Sequence, residues 1–210
     1  FLRNHDDLLV RTGNDEQQQL LFSSLESKGL RFKLRTVSGR LASFLDGNSA
    51  RIILAHFLWA SLPGVPALYY GDEYGVLNGD KKIEGQWFDA REIHRNPLLQ
   101  DVYQGIEAQE LADKIALVFS YRKKLPCLVT GKHKRIPNIP EGVGGSEVLN
   151  VEAPDDLVML VLINVTGNNK DVSLLDYYPK KIGLAINDAS INENSVLLPP
   201  YSGMWLVYDV

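Results

Sequence analysis

Two short stretches of this sequence bring together side chains able to do chemistry. The first is Asn4-His5-Asp6, which follows Phe1-Leu2-Arg3. A carboxylate beside an imidazole can stabilise a developing positive charge while the imidazole donates hydrogen bonds to substrate hydroxyls. The same triplet also makes a good Asx turn or helix cap, and the residues alone leave both readings open. The second stretch runs from Leu62 to Gly75, Leu-Pro-Gly-Val-Pro-Ala-Leu-Tyr-Tyr-Gly-Asp-Glu-Tyr-Gly. Glu73 stands two residues past Gly71, where it either orients neighbouring loops and a site side chain or serves the structure, the plainer role.

The elements that must position these residues can be read from periodicity. Phe1-Leu2 reads as the end of a buried strand that breaks into a polar loop. Residues 15–28 read as a polar helical excursion, and residues 30–44 show no clean period. Asp46-Gly47-Asn48 is a turn, with Ser49 as the expected N-cap of a helix about a dozen residues long. Its apolar positions are Ile52, Ile53, Phe57, Leu58 and Leu62, and it ends before Pro63-Gly64. Pro66 to Tyr70, closed by Gly71, has the apolar, aromatic pattern of a buried strand. Strand end, helix and strand in that order predict the βαβ grammar of a parallel α/β fold. The polar stretch 72–101 is too long for a mere connector. Glu107 to Lys124 reads as an amphipathic helix with Leu111, Ile115, Val118, Phe119 and Tyr121 as its apolar positions. Arg122-Lys123-Lys124 stand at its C-terminus, where the dipole favours cations, and Pro126 stops it.

Beyond residue 126 the pattern changes to short β-rich runs, at 148–151, 157–163, 172–174, 182–184, 195–198 and 204–208, separated by Gly, Asn, Asp and Pro turns. No further helix is expected. The domains predicted are therefore residues 1–126, of α/β type, and residues 127–210, an antiparallel β-sandwich.

Composition excludes several classes of function. Hydrophobic residues at 45% suffice for a packed core, which argues against a disordered chain. With 22 basic against 26 acidic side chains the formal charge is −4, which speaks against nucleic-acid or anionic-membrane partners. The longest apolar stretches, 52–62 and 157–163, fall short of the roughly 20 residues of a membrane helix. One cysteine, Cys127, excludes an intrachain disulfide and a cysteine-built zinc site, and fits a reducing, cytoplasmic compartment. Asn164-Val165-Thr166 matches a glycosylation sequon, discounted because it follows an apolar strand and no secretion signal is visible. The abrupt start suggests a piece of something longer.

Together the motifs resemble glycoside hydrolase family 13, the α-amylase superfamily. Phe1-Leu2-Arg3-Asn4-His5-Asp6-Asp7-Leu8 is similar to that family's segment at the end of the seventh barrel strand. Pro63-Gly64-Val65-Pro66 through Gly71-Asp72-Glu73-Tyr74-Gly75 resembles its motif around the eighth strand. Leu198-Pro199-Pro200-Tyr201-Ser202-Gly203 resembles the end of its C-terminal β-domain. The resemblance implies the C-terminal part of a (β/α)8 TIM barrel followed by an antiparallel β-sandwich. It implies a retaining reaction on α-glucosidic bonds, with Asp6 as the carboxylate that stabilises the oxocarbenium-like transition state. By the same match His5 contacts substrate hydroxyls, Arg3 makes a secondary substrate contact, and Asn4 and Glu73 support. Arg3, Asp7 and Leu8 look most like trehalose synthases and partly like amylosucrases. Lys81 to Trp87 departs from the pattern of trehalose synthases, where an Arg, Pro and Met precede the Trp. Trp87 and Phe88 can stack on a sugar or anchor the loop, and Arg91, Glu92, His94 and Arg95 read as a solvated face.

The nucleophile and the acid/base belong to the fourth and fifth strands in this family, upstream of what this chain matches. The expectation is that the chain alone is inactive and that the remaining N-terminal barrel portion is its partner, with an α-glucoside or α-glucan as substrate. No cofactor and no metal are expected. Two competing readings are a non-catalytic homologue and a carbohydrate-binding sandwich presenting Tyr177, Tyr178 and Tyr201.

Overall fold

The computed structural model describes residues 2, 6, 8–9, 13–33, 36–79, 89–95, 97, 104–152, 156–175, 177, 179 and 181–208. The expectations placed on Phe1, Arg3, Asn4, His5, Asp7, residues 81–87, Phe88 and Tyr178 lie outside the described residues. In chain order the elements are β1 (Leu8–Leu9), α1 (Asp15–Glu26), β2 (Leu30–Lys33), β3 (Thr36–Ser38), α2 (Leu41–Phe44) and α3 (Ser49–Ala60). Two 3-10 turns follow, Asp72–Tyr74 and Ala90–Ile93, then α4 (Ile106–Arg122) and α5 (Cys127–Thr130). The strands β4 (Lys132–Arg135), β5 (Val143–Leu149), β6 (Leu157–Asn164), β7 (Lys170–Ser173), β8 (Lys181–Ile186), β9 (Ser190–Asn192), β10 (Ser195–Leu198) and β11 (Gly203–Val207) complete the chain. They gather into two compact units, Phe1–Ile52 with Ala67–Asp113 and Ile53–Pro66 with Lys114–Val210.

In the first unit, α1 starts where Asn14 Oδ1 accepts the Gln17 N–H at 2.7 Å, with Asp15 and Glu16 at the positive end of the helix. Phe22 is its buried residue and packs with Leu25, Val37 and Phe44. β2 and β3, in a stretch whose sequence shows no clean period, pair antiparallel. With β1 they make a three-stranded antiparallel sheet of order β1-β3-β2. The start of α3 differs from the expected Ser49 cap by one residue. Asn48 Oδ1 accepts the Arg51 N–H at 3.0 Å, so Asn48 is the cap and Ser49 the first helical residue.

The buried strand expected at 66–70 is not a strand. Residues 65–69 carry no regular secondary structure, and Val65, Leu68 and Tyr70 are exposed. A strand exists only through the N–H and C=O groups of a neighbour, and the described strands pair elsewhere. Those pairings are all antiparallel, so the expected parallel grammar is absent among the described residues.

The second unit holds two antiparallel sheets, β4-β5-β6-β11-β8 and β7-β10-β9. Leu160 and Leu162 of β6 and Met204 and Leu206 of β11 share one hydrophobic core with Val172, Val196 and Leu198 of the smaller sheet. Every residue of β11 is buried, because its other face is covered too. There Trp205 stacks on Phe57 at a centroid distance of 4.8 Å, and its indole N–H donates to Ser61 Oγ at 2.7 Å. The Ser61 hydroxyl in turn donates to the Phe57 carbonyl. Gly203 permits that approach, since a Cβ there would lie 2.6 Å from the Phe57 ring.

Arg122 stands in the last turn of α4, as expected, and its side chain reaches beyond its own helix. Its guanidinium is buried and donates to the carbonyls of Ala60, Leu62 (3.0 Å) and Gly64 (2.7 Å), acceptors at and just past the end of α3. Burial pulls its pKa below the usual arginine range. Two elements were unexpected. The four residues of α5 follow Pro126, and β4 (Lys-His-Lys-Arg) has no apolar alternation to announce it. Asn164, at the end of β6, is fully buried. Its Nδ2 reaches the carbonyls of Asn168, Leu198 and Pro199 at 2.7–3.0 Å, while Oδ1 accepts from the Thr166 N–H and hydroxyl.

Candidate active site

Of the residues singled out from sequence, Asp6 and Glu73 are described and both lie in the first unit. Arg3, Asn4 and His5 lie outside the described residues. The Asp6 side chain is half exposed, and one of its oxygens, Oδ1, receives two guanidinium groups: Arg91 Nη1 at 3.1 Å and Arg95 Nη2 at 3.3 Å.

Both arginines come from the short 3-10 turn and the residues just past it. Asp89 caps this turn, accepting the Arg91 backbone N–H at 2.9 Å. The same carboxylate grips the Arg91 side chain from Nε at 3.0 Å and Nη2 at 2.6 Å, leaving Nη1 for Asp6. These hydrogen bonds hold the Asp89 carboxyl down at about 2, and the bonds to Asp89 and Asp6 raise the Arg91 pKa still further. The turn is fastened from beneath. Ile93 and His94 are buried, the Ile93 carbonyl accepts from the Gly79 N–H at 2.7 Å, and the Tyr69 hydroxyl reaches the His94 carbonyl at 3.3 Å. Burial, with Tyr70 alongside, pushes the Tyr69 phenol up to about 12.

The reading of Arg91, Glu92, His94 and Arg95 as a solvated face is corrected at His94, while Arg91 and Arg95 stay partly exposed. His94 has no exposed surface, and the two arginines are directed at Asp6. The signal was unreadable locally because 85 and 89 residues separate the partners. A weaker signal was present: Asp89 two residues before Arg91 is an Asx-type capping pattern.

Glu73 stands in the 3-10 turn Asp72–Tyr74, between Gly71 and Gly75, both in the left-handed region at φ 85° and 67°. Only glycine takes up such angles at little cost, which explains the punctuation of the motif. One Glu73 oxygen, Oε2, is buried without a hydrogen-bond partner among the described residues. The neighbouring segment hangs on Arg40, a residue the sequence did not mark. Arg40 is fully buried and donates to the Tyr70 carbonyl at 2.5 Å. Its guanidinium lies 4.9 and 4.6 Å from the Tyr69 and Tyr70 ring centres and 3.9 Å from Asp72. Asn78 joins this node to the hairpin region, accepting the Arg40 N–H at 2.6 Å and donating to the Lys28 carbonyl at 2.8 Å.

Elsewhere, no group of three or more His, Cys, Asp or Glu among the described residues is placed to hold a metal ion. No described helix is long and apolar enough to cross a membrane. Tyr177, a candidate for sugar stacking, packs against the hydrophobic core of the second unit and donates to Glu147 Oε1 at 2.8 Å.

No protein-family profile matches the chain. Among curated proteins it is 42% identical over 99 residues to the trehalose synthase/amylase TreS of Mycobacterium tuberculosis, a match covering 43% of this chain and 16% of that protein. It is 23% identical over 220 residues to alpha-amylase 3 of Dictyoglomus thermophilum, covering 96% of this chain and 37% of that protein. The chain thus matches well under half the length of these relatives. Among solved structures, Amy13B of Eubacterium rectale superposes on 82% of this chain and 37% of its own, with a TM-score of 0.62 and 16% identity, which speaks for the fold. Motifs, relatives and fold converge on one likeness: the chain is similar to the C-terminal portion of glycoside hydrolase family 13 enzymes.

Proposed function

We propose that this chain is the C-terminal portion of a retaining enzyme that hydrolyses, transfers or isomerises α-glucosides such as maltose, trehalose or α-glucans. Residues 1–126 contribute the last part of a (β/α)8 barrel and residues 127–210 the antiparallel sandwich. Asp6 is the carboxylate that stabilises the transition state, His5 and Arg3 contact the substrate, and Asn4 and Glu73 support the loops. The nucleophile and the acid/base come from the remaining barrel portion, without which the chain is inactive. The exposed apolar segment around Val65, Leu68 and Tyr70 supports such a partner. Cysteine usage supports a cytoplasmic setting. No cofactor is required.

The chemistry follows the two-step pattern of retaining glycosidases. A carboxylate from the partner portion attacks the anomeric carbon as a carboxylic acid protonates the leaving oxygen. The covalent glucosyl ester is then released to water or a sugar hydroxyl, whose proton returns to the same acid/base. Positive charge accumulates on the ring in both transition states, and a fixed carboxylate nearby lowers both barriers.

The observation that carries this reading is Asp6 itself, a carboxylate held by two guanidinium groups in a chain related to trehalose synthase and α-amylase. The test is Asp6→Asn in the longest natural form of the protein, assayed on maltose and trehalose. We expect kcat to fall at least a thousandfold with the melting temperature unchanged. Retained turnover refutes the assignment, and an unmodified protein that binds these sugars without turning them over favours the non-catalytic homologue.

A further inference from the structure

We propose that Arg91 and Arg95 are positioning residues for the Asp6 carboxylate, a role that rests on the reading of Asp6 given above. Three observations carry it. Both guanidinium groups meet on a single oxygen of Asp6, fixing its side-chain torsion from two directions. Arg91 is itself clamped, with Nε and Nη2 committed to Asp89 and Nη1 directed to Asp6. A planar fork held at one side points its remaining nitrogen in one direction, which a lysine ammonium does not do. The turn carrying Arg91, and the stretch just past it that carries Arg95, are seated on a buried base made by Ile93, His94 and the Tyr69 hydroxyl.

Stability does not account for the arrangement. The side chains of Arg91, Arg95 and Asp6 are 33%, 36% and 52% exposed, and ion pairs of that exposure contribute little to folding. What the cluster does supply is geometry. A carboxylate that must face a transient cation loses most of its effect when displaced by about 1 Å.

The test uses the longest natural form of the protein, comparing Arg91→Ala, Arg95→Ala and the double variant with the unmodified enzyme. We expect kcat to fall about tenfold for each single change and more for the double, KM to move less than about threefold, and the melting temperature to hold. Guanidinium ion at millimolar concentration should restore part of kcat in the alanine variants and leave the unmodified enzyme unaffected, an effect a merely structural role does not produce. Arg91→Lys should recover less than guanidinium does. Should the alanine variants fail to fold, Asp89→Asn, which loosens Arg91 and keeps its charge, should lower kcat by severalfold. An unchanged kcat in the double variant, or a loss that guanidinium does not relieve, overturns the inference while Asp6→Asn remains inactive. Activity of Asp6→Asn overturns the reading of Asp6 on its own account.

Discussion

The two units of this chain are held together by different physics. In the second, β6 and β11 are buried on both faces, and regular ladders satisfy their backbone groups. In the first, the residues around the candidate site are fastened by side chains to carbonyls and amides: Arg40 to Tyr70, Asn78 to Lys28 and Arg40, Asp89 to Arg91. Ladder-and-core construction tolerates loss of one polar contact and punishes loss of volume. Side-chain fastening tolerates loss of volume and punishes loss of one polar contact. Loops that carry chemistry are built the second way, because a site needs irregular backbone that no ladder can satisfy.

Substitutions can sharpen this contrast. The largest effect is expected from Trp205→Ala, which removes a fully buried indole, its stacking on Phe57 and its bond to Ser61. Urea denaturation should show a loss of about 3–5 kcal/mol, and a loss below about 1 kcal/mol would break the picture of a core sensitive to volume. Next comes Arg122→Met, which keeps bulk and strands the carbonyls of Ala60, Leu62 and Gly64; the expected cost is on the order of 2 kcal/mol. It is the exception built into the second unit, a polar clasp inside a packed region, and a neutral outcome would mean that water takes its place. In the first unit, Asn78→Ala should cost about 1–2 kcal/mol by loss of two polar contacts despite removing little volume. Hydrogen exchange should show the loosening at Arg40, whose N–H it strands.

The smallest effect is a titration. Asp89 is depressed to about 2, chiefly by the Arg91 side chain, so its carbon resonances should titrate there, and in Arg91→Ala at a higher pH, toward the ordinary value of about 4, because the backbone N–H of residue 91 still donates to it. Because the folded-state pKa is the lower one, the stabilisation is present above about pH 4 and is lost as pH falls toward 2. An unshifted midpoint in the variant would remove Arg91 as the cause.

The same contrast explains what could be read from the sequence. α3, α4 and most strands of the second unit were legible because periodic burial leaves periodic sequence, as with Ile52, Ile53 and Phe57 or the run of β6. The cap of α3 was misplaced by one residue because Asn48 and Ser49 are both good caps. β4 escaped because Lys-His-Lys-Arg is an exposed edge strand. The segment 66–70 misled because apolar pattern reports a tendency to be covered, and only a neighbouring strand makes it a strand. At the candidate site, Asp6 and Glu73 were singled out through motif alone. Arg40, Arg91 and Arg95 were not, since a contact between positions 6 and 91 has no local signature.

Asn164 has a consequence for how the protein can be made. Its amide, shared among five backbone and side-chain groups, is sealed inside the second unit. An oligosaccharide can be attached to the Asn164-Val165-Thr166 sequon only while the chain is still unfolded. Once attached, it would block the closing of β6 against the Pro199–Ser202 turn. Production in a secretory eukaryotic host would thus set glycan transfer and folding in direct competition, and each modified molecule would be lost to the native state.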